Sequence, residues 1–344
     1  MSLVDKFYPK YNVLSIIGMS KNAGKTFTLN HLIEDAEEQG LIIGITSIGR
    51  DGERVDVVTD TEKPTIFLPQ NSYVATTTKL LEISDATVSI EEVTPFDTPL
   101  GEVIIGKVIY DGHVQISGPQ TLSETKYVSD RMLELGAQVS IIDGALDRKT
   151  SAAPEISQAT ILASGASFDR SMNKVVEETA HIASLFKLPN LEEYRQEIQE
   201  LLDKKTYATI DRHGVVYPLD LATGLGAGRI LADAITEDTK YLILPGALTS
   251  NVASDLLSNS PYTKNIRIVV SDATKVFIDA KSYKRLIRRG LYIEIVHFSE
   301  LVAITLNPFA PEGYQFDASL FRKAMGEKIS NVEIVDLMMG GKNV

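Results

Sequence analysis

"SIIGMSKNAGKTFTLNHLI", residues 15–33, runs from an apolar stretch through a glycine-containing turn into apolar positions at helical spacing. Residues 12–17 (NVLSII) read as a buried strand. Residues 26–39 place Phe27, Leu29, Leu32, Ile33 and Ala36 on one side of a helix that Gly40 stops. A second buried strand, "LIIGITSIG", follows. Strand, glycine turn, helix and strand in that order form a βαβ unit, whose crossover makes the two strands parallel. The expected fold class is therefore α/β with a mainly parallel sheet.

The turn itself carries chemistry. Five residues separate Gly18 from Gly24, and Gly24-Lys25-Thr26 opens the helix. Backbone N–H groups of such a turn and of a helix N-terminus point at anionic oxygens, a lysine neutralises the β and γ phosphates, and a hydroxyl reaches magnesium. The expected nucleotide-binding set is Gly18, Lys21, Asn22, Ala23, Gly24, Lys25, Thr26 and Phe27. Magnesium takes hard oxygen ligands. Asp143 ends the apolar run "VSIID" and, with Thr26, is the expected metal-side oxygen. Asp51, in "TSIGRDGE" after the second strand, stands where the ATPases this loop resembles carry an acid that orients the attacking water or binds the metal, and that resemblance implies Lys25 and Asp51 as the catalytic candidates. For Arg50, Asp51 and Glu53 a plain polar turn is the competing reading, and Asp147 with Arg148 fits either a phosphate contact or a surface ion pair. Neither "MNKVVEE" at Asn173 nor "ATKVFID" at Thr274 has the Asp that guanine recognition requires, which favours ATP.

Bulk properties narrow the classes. The 344 residues are 44% hydrophobic and 23% charged, enough for one large or two medium cores. Cysteine is absent, which removes disulfides, thiolate metal sites and thiol nucleophiles. A net charge of -12 disfavours nucleic acid and anionic lipid as partners. No apolar run is long enough to span a bilayer, and "MSLVDKFYPKYN" lacks a signal-peptide layout, so the cytoplasm is the expected address. The five histidines (31, 113, 181, 213 and 297) show no metal-ligand spacing.

Residues 64–121 change texture to short Val-, Ile- and Thr-rich runs, read as a β-rich insertion with a hairpin turn at "YDGHV". A helix over 123–135 follows, then strands at "VSIIDG" and "QATILASG" and helices near 172–186 and 191–202. "YATIDRHGVVYPLD" predicts a hairpin turning at His213-Gly214. Buried strands recur at "YLILPG", "IRIVVSD", "LYIEIVH" and "LVAITLN". The expected division is a nucleotide-binding domain over 1–205 and, over 206–344, a second α/β domain or an extension of the first sheet. "LPGALTSNV" and "VVSDATKV" sit where open parallel sheets take ligands, with helix capping by Thr249 or Asp272 as the alternative. "GLGAGR" reads as a glycine loop, and "KSYKRLIRR" as a solvated helix face.

"GMSKNAGKT" resembles the loop of the dethiobiotin synthetase and cobyric acid synthase group, in the P-loop NTPase branch that includes the MinD-like ATPases. The resemblance implies a P-loop NTPase fold and binding of ATP with Mg2+. It also implies a strand ending in an acid before Gly-Ala, matched by Asp143-Gly144-Ala145, and often two nucleotides at a homodimer interface. "TSIGRDGE", "IIDGALDRKTSAAPEI", "TILASGAS" and "ITLNPFAPEG" are similar to the ATPase subunit of the lysine 5,6-aminomutase reactivating factors. That likeness implies an accessory ATPase working with a MutS-like partner subunit on a cobamide-dependent aminomutase. Two other readings stay open: a dethiobiotin synthetase-type ligase that activates a carboxylate, and a nucleotide-binding regulator with little turnover. Coupling to a glutamine amidotransferase within the chain is excluded, because that chemistry needs a cysteine.

Overall fold

In the computed structural model, which describes residues 2–48, 65–144, 156–221 and 226–337, the opening apolar run forms strand β1 (Val13–Gly18), buried at every position. Helix α1 (Lys25–Glu38) and strand β2 (Ile43–Ser47) follow. Next come β3 (Ile66–Leu68), β4 (Tyr73–Thr77), α2 (Thr78–Glu82), β5 (Thr87–Thr98), β6 (Gly101–Tyr110) and β7 (Gly112–Val114). Helix α3 (Leu122–Glu134) leads to β8 (Val139–Asp143), β9 (Ala159–Gly165) and α4 (Met172–Leu185).

The chain folds as two units, Met1–Val176 with Ser299–Val344, and Glu177–Phe298. The second unit contains α5 (Arg195–Asp203), β10 (Tyr207–Asp211), β11 (Val216–Leu219), α6 (Gly228–Asp233), β12 (Thr239–Ile243), β13 (Leu248–Thr249) and α7 (Ser250–Asn259). It continues with β14 (Arg267–Val270), β15 (Val276–Phe277), α8 (Ala280–Arg288) and β16 (Ile293–Ile295). The chain then returns to the first unit with β17 (Glu300–Asn307), α9 (Ala318–Lys328) and β18 (Glu333–Asp336).

The first unit is built on a nine-stranded sheet in the order β18-β17-β9-β1-β8-β2-β4-β6-β5. Neighbours from β18 to β4 run parallel, and β6 and β5 add antiparallel strands. Parallel strands need cover on both faces, and helices supply it. Leu29, Leu32, Ile33 and Ala36 of α1 pack with Leu14, Ile16, Ile43 and Ile45. Val128 and Met132 of α3 pack with Tyr73, Ala75, Val103 and Ile105. Burying each Leu or Ile contributes about 1.5–3 kcal/mol. A capping box between Thr121 and Glu124 fixes the start of α3.

The stretch read as a β-rich insertion supplies β3 to β7, of which β4, β6 and β5 continue the main sheet while β3 and β7 pair over its α1 face. Two sequence expectations change. "YDGHV" is not a hairpin: β7 pairs with β3, and Asp111 and Gly112 lack the positive φ that a tight hairpin turn requires. The β5–β6 hairpin turns instead through Gly101, at φ 105°. Finally, the second half is neither one domain nor a simple extension. β17 pairs parallel with β9 over seven residue pairs, so the last segment belongs to the first sheet, and the separate unit begins within α4.

The second unit has its own five-stranded sheet, β11-β10-β12-β14-β16, with β12, β14 and β16 parallel. The β10–β11 hairpin turns at Gly214, φ 85°. Tyr241, Ile243, Val269 and Val296 form its core with Leu191, Ile198 and Leu202. Thr249 accepts from Val252 N–H at 3.3 Å and Asp272 from Thr274 N–H at 2.7 Å, so both serve as caps. Residues 224 and 225, the first two of "GLGAGR", lie outside the described residues, and its end starts α6. No helix among the described residues is long and apolar enough to cross a membrane.

Candidate functional site

The site is built where β1 ends between β8 and β9. Register places Ile16 beside Asp143 on one side and Gly18 beside Ala163 on the other. The chain turns immediately: Met19 N–H donates to the Ala163 carbonyl at 2.9 Å, and Ser20 Oγ lies 2.9 Å from Ser167 Oγ. Asn22 and Gly24 both adopt left-handed backbone, with φ of 61° and 104°. Glycine is suited to this at position 24, where a Cβ would also stand 3.0 Å from Asn307 Cβ. Helix α1 starts without a side-chain cap at Gly24. The N–H groups of a helix's first turn have no intrahelical acceptor, so this end of α1 is suited to an anion.

Lys25 does not extend into solvent. Its side chain is 11% exposed, and its Nζ donates to Asp143 Oδ1 at 3.2 Å and to the Gly144 carbonyl. The approach of Gly144 depends on a missing side chain: a Cβ there would lie 2.6 Å from the Ile16 carbonyl, which instead accepts from Gly144 N–H at 2.9 Å. Asp143 is 31% exposed, so its carboxylate is reachable. Thr26 is half-buried, Ala23 is buried, and Lys21, Asn22 and Phe27 are exposed, Phe27 at 55%. An ammonium, a carboxylate and an uncapped helix start thus converge on one turn.

Of the sequence-derived candidates, Gly18, Lys21, Asn22, Ala23, Gly24, Lys25, Thr26 and Phe27 all lie along this turn, and the fold brings Asp143 to them. Ser47 pairs with Asp143 across β2 and β8, so β2 ends beside the same carboxylate. Asp51, Arg50 and Glu53 follow that strand but lie outside the described residues, as do Ala145, Asp147 and Arg148. Among the described residues, no group of three or more His, Asp or Glu could hold a metal by itself.

Sequence reasoning missed the residues supplied by β17. Asn307 Nδ2 donates to the Asn22 carbonyl at 3.1 Å, and Thr305 Oγ1 lies 2.7 Å from Thr28 Oγ1, which also donates to the Gly24 carbonyl at 3.1 Å. Tyr314 OH donates to the Ala166 carbonyl at 2.6 Å, and the Arg170 guanidinium sits 5.4 Å from the Tyr314 ring centre. The Lys174 ammonium, 2.6 Å from Asp169, holds that carboxyl below the usual range. The polar Asn-Pro ending of "ITLNP" was the available signal, but strand order was needed to interpret it.

The chain matches no family model, no curated protein and no solved structure.

Proposed function

We propose that the chain is a magnesium-dependent ATPase of the P-loop type, in which residues 18–26 hold the triphosphate. The observation that carries this reading is the convergence of the uncapped start of α1, the inward Lys25 ammonium and the strand-end Asp143 at one left-handed turn. In this reading the N–H groups of the turn bind the phosphate oxygens, and Lys25 exchanges Asp143 and the Gly144 carbonyl for phosphate. Thr26 and Asp143 are hard oxygen donors of the kind magnesium takes, directly or through water, and it needs only one or two protein carboxylates beside a nucleotide. The metal supplies charge neutralisation for the developing phosphate charge. Asp51 is proposed to orient the water that attacks the γ-phosphorus, giving ADP and inorganic phosphate.

The proposed role of the turnover is reactivation of a cobamide-dependent aminomutase of the lysine 5,6-aminomutase type, together with a MutS-like partner subunit. Support for this client comes from the residues after β2, those around Asp143 and β9, and the β17 segment quoted above. ATP turnover should be measured for the chain alone, with diamino and dicarboxylic acids, and with such an aminomutase. The reading expects stimulation by the mutase. Stimulation by a small acid alone, with an acylated product, would establish the synthetase instead. Tight binding with negligible turnover in all three mixtures would leave a regulator.

A further inference from the structure

Two contacts reach the glycine turn and the helix it opens from β17, a strand two places away from β1 in the sheet. Asn307 holds the Asn22 carbonyl, and Thr305, two residues earlier on the same strand, meets Thr28 in the first turn of α1. Asn307 is itself fixed, because its Oδ1 accepts from Phe309 N–H at 3.1 Å and closes a turn just past the strand. What it grips is a residue in left-handed backbone. Asparagine enters that region more readily than other residues with a side chain but also adopts ordinary right-handed and extended backbone, so a contact to its carbonyl selects one of several accessible conformations.

We infer that Asn307 is a positioning residue for polyphosphate binding. By holding the Asn22 carbonyl, it keeps residues 22–24 in the conformation that presents the loop N–H groups to phosphate oxygens. This rests on the phosphate-binding reading of the loop and extends it, since the residue acts on the phosphate chain through the loop and has no part in recognising the base.

The test is calorimetric titration of the full chain, in magnesium, with ATP and with inorganic tripolyphosphate, which has no base or sugar. The parent is compared with Asn307→Ala and Asn307→Ser. A serine hydroxyl can still accept from the N–H of residue 309 but is too short to reach the Asn22 carbonyl, so the Ser variant keeps the local turn. Loss of one hydrogen bond should weaken both ligands by the same factor, about five- to tenfold, in both variants. The Ser variant is expected to melt within a few degrees of the parent, and it carries the test if the Ala variant fails to fold. Unchanged affinity for both ligands would overturn the inference, as would loss confined to ATP, which would make Asn307 a base or sugar contact. A parent chain that binds neither ligand defeats the phosphate reading itself, whereas a parent that binds beside unaffected variants defeats only the role of Asn307.

Discussion

Lys25 Nζ and Asp143 Oδ1 are 3.2 Å apart across 118 residues of sequence, an ion pair that joins the helix after β1 to the end of β8. In the proposed ATPase this carboxylate faces the metal as well as the lysine. Asp143→Asn keeps the shape and removes the charge. It should raise the magnesium concentration needed for half-maximal ATP turnover by about 10–100-fold, as loss of a metal's supporting carboxylate does. A magnesium titration of turnover checks this, and an unshifted midpoint would remove Asp143 from the metal side.

Gly24→Ala meets two obstacles at once. The left-handed backbone there costs a residue with a Cβ about 1–2 kcal/mol, and the new methyl would stand 3.0 Å from Asn307 Cβ. Urea denaturation should show a loss of at least that size, together with lost ATP affinity. Gly40 offers the contrast, because its φ is also positive but nothing lies within 4 Å of the place a methyl would occupy. Gly40→Ala should therefore lose stability through backbone strain while ATP affinity stays at the parent value.

Truncation distinguishes the two folding units. A chain ending at Phe298 keeps all of Glu177–Phe298 but removes β17 and β18 from the nine-stranded sheet. β9 then becomes an edge strand, losing its pairs with residues 300–307. Hydrogen exchange should show fast exchange at Leu162 and Ser164, which face β17 because the Ala163 carbonyl between them faces β1, with protection retained at Leu242 and Ile268 in the second sheet. Loss of protection in both sheets would mean that the units do not fold independently.

How much of this was readable from sequence depended on distance along the chain. The strand, turn and first helix are contiguous, so spacing alone located Gly18, Gly24, Lys25 and Thr26. Asp143 was legible because an apolar run ends in a lone acid. "LVAITLN" reads like the buried strands before it, and nothing in its composition says that it crosses back to pair with β9. The domain boundary and Asn307 were lost together for that one reason. "YDGHV" misled because Asp-Gly favours a tight turn locally, whereas here the chain passes straight on to pair with β3, and Gly112 lies close against Ala86, whose N is 2.6 Å from where a Cβ on Gly112 would stand.

Glu294 gives the second unit a pH dependence. Its side chain is buried, with Oε1 3.0 Å from Arg267 Nη1 and Oε2 without a hydrogen-bond partner. Burial pushes the carboxyl up, and Arg267 pulls it down by less. Folding then takes up a proton between the unfolded and folded values. The stabilising contribution is complete below the unfolded value and is lost as pH rises through the folded one. Glu294→Gln cannot titrate, so urea midpoints should shift in favour of the variant between acidic and neutral pH. A constant difference between the two proteins would show that Glu294 has no raised affinity for protons.

The contact between Asn22 and Asn307 spans 285 residues, and this orders events during synthesis. At roughly 5–20 residues per second, the ribosome makes the glycine turn about 15–60 s before the asparagine that holds it. The turn emerges well before the residue that holds it. A chain stopped short of residue 307 carries the complete motif without that hold, so the finished contact marks a chain that has been translated at least that far.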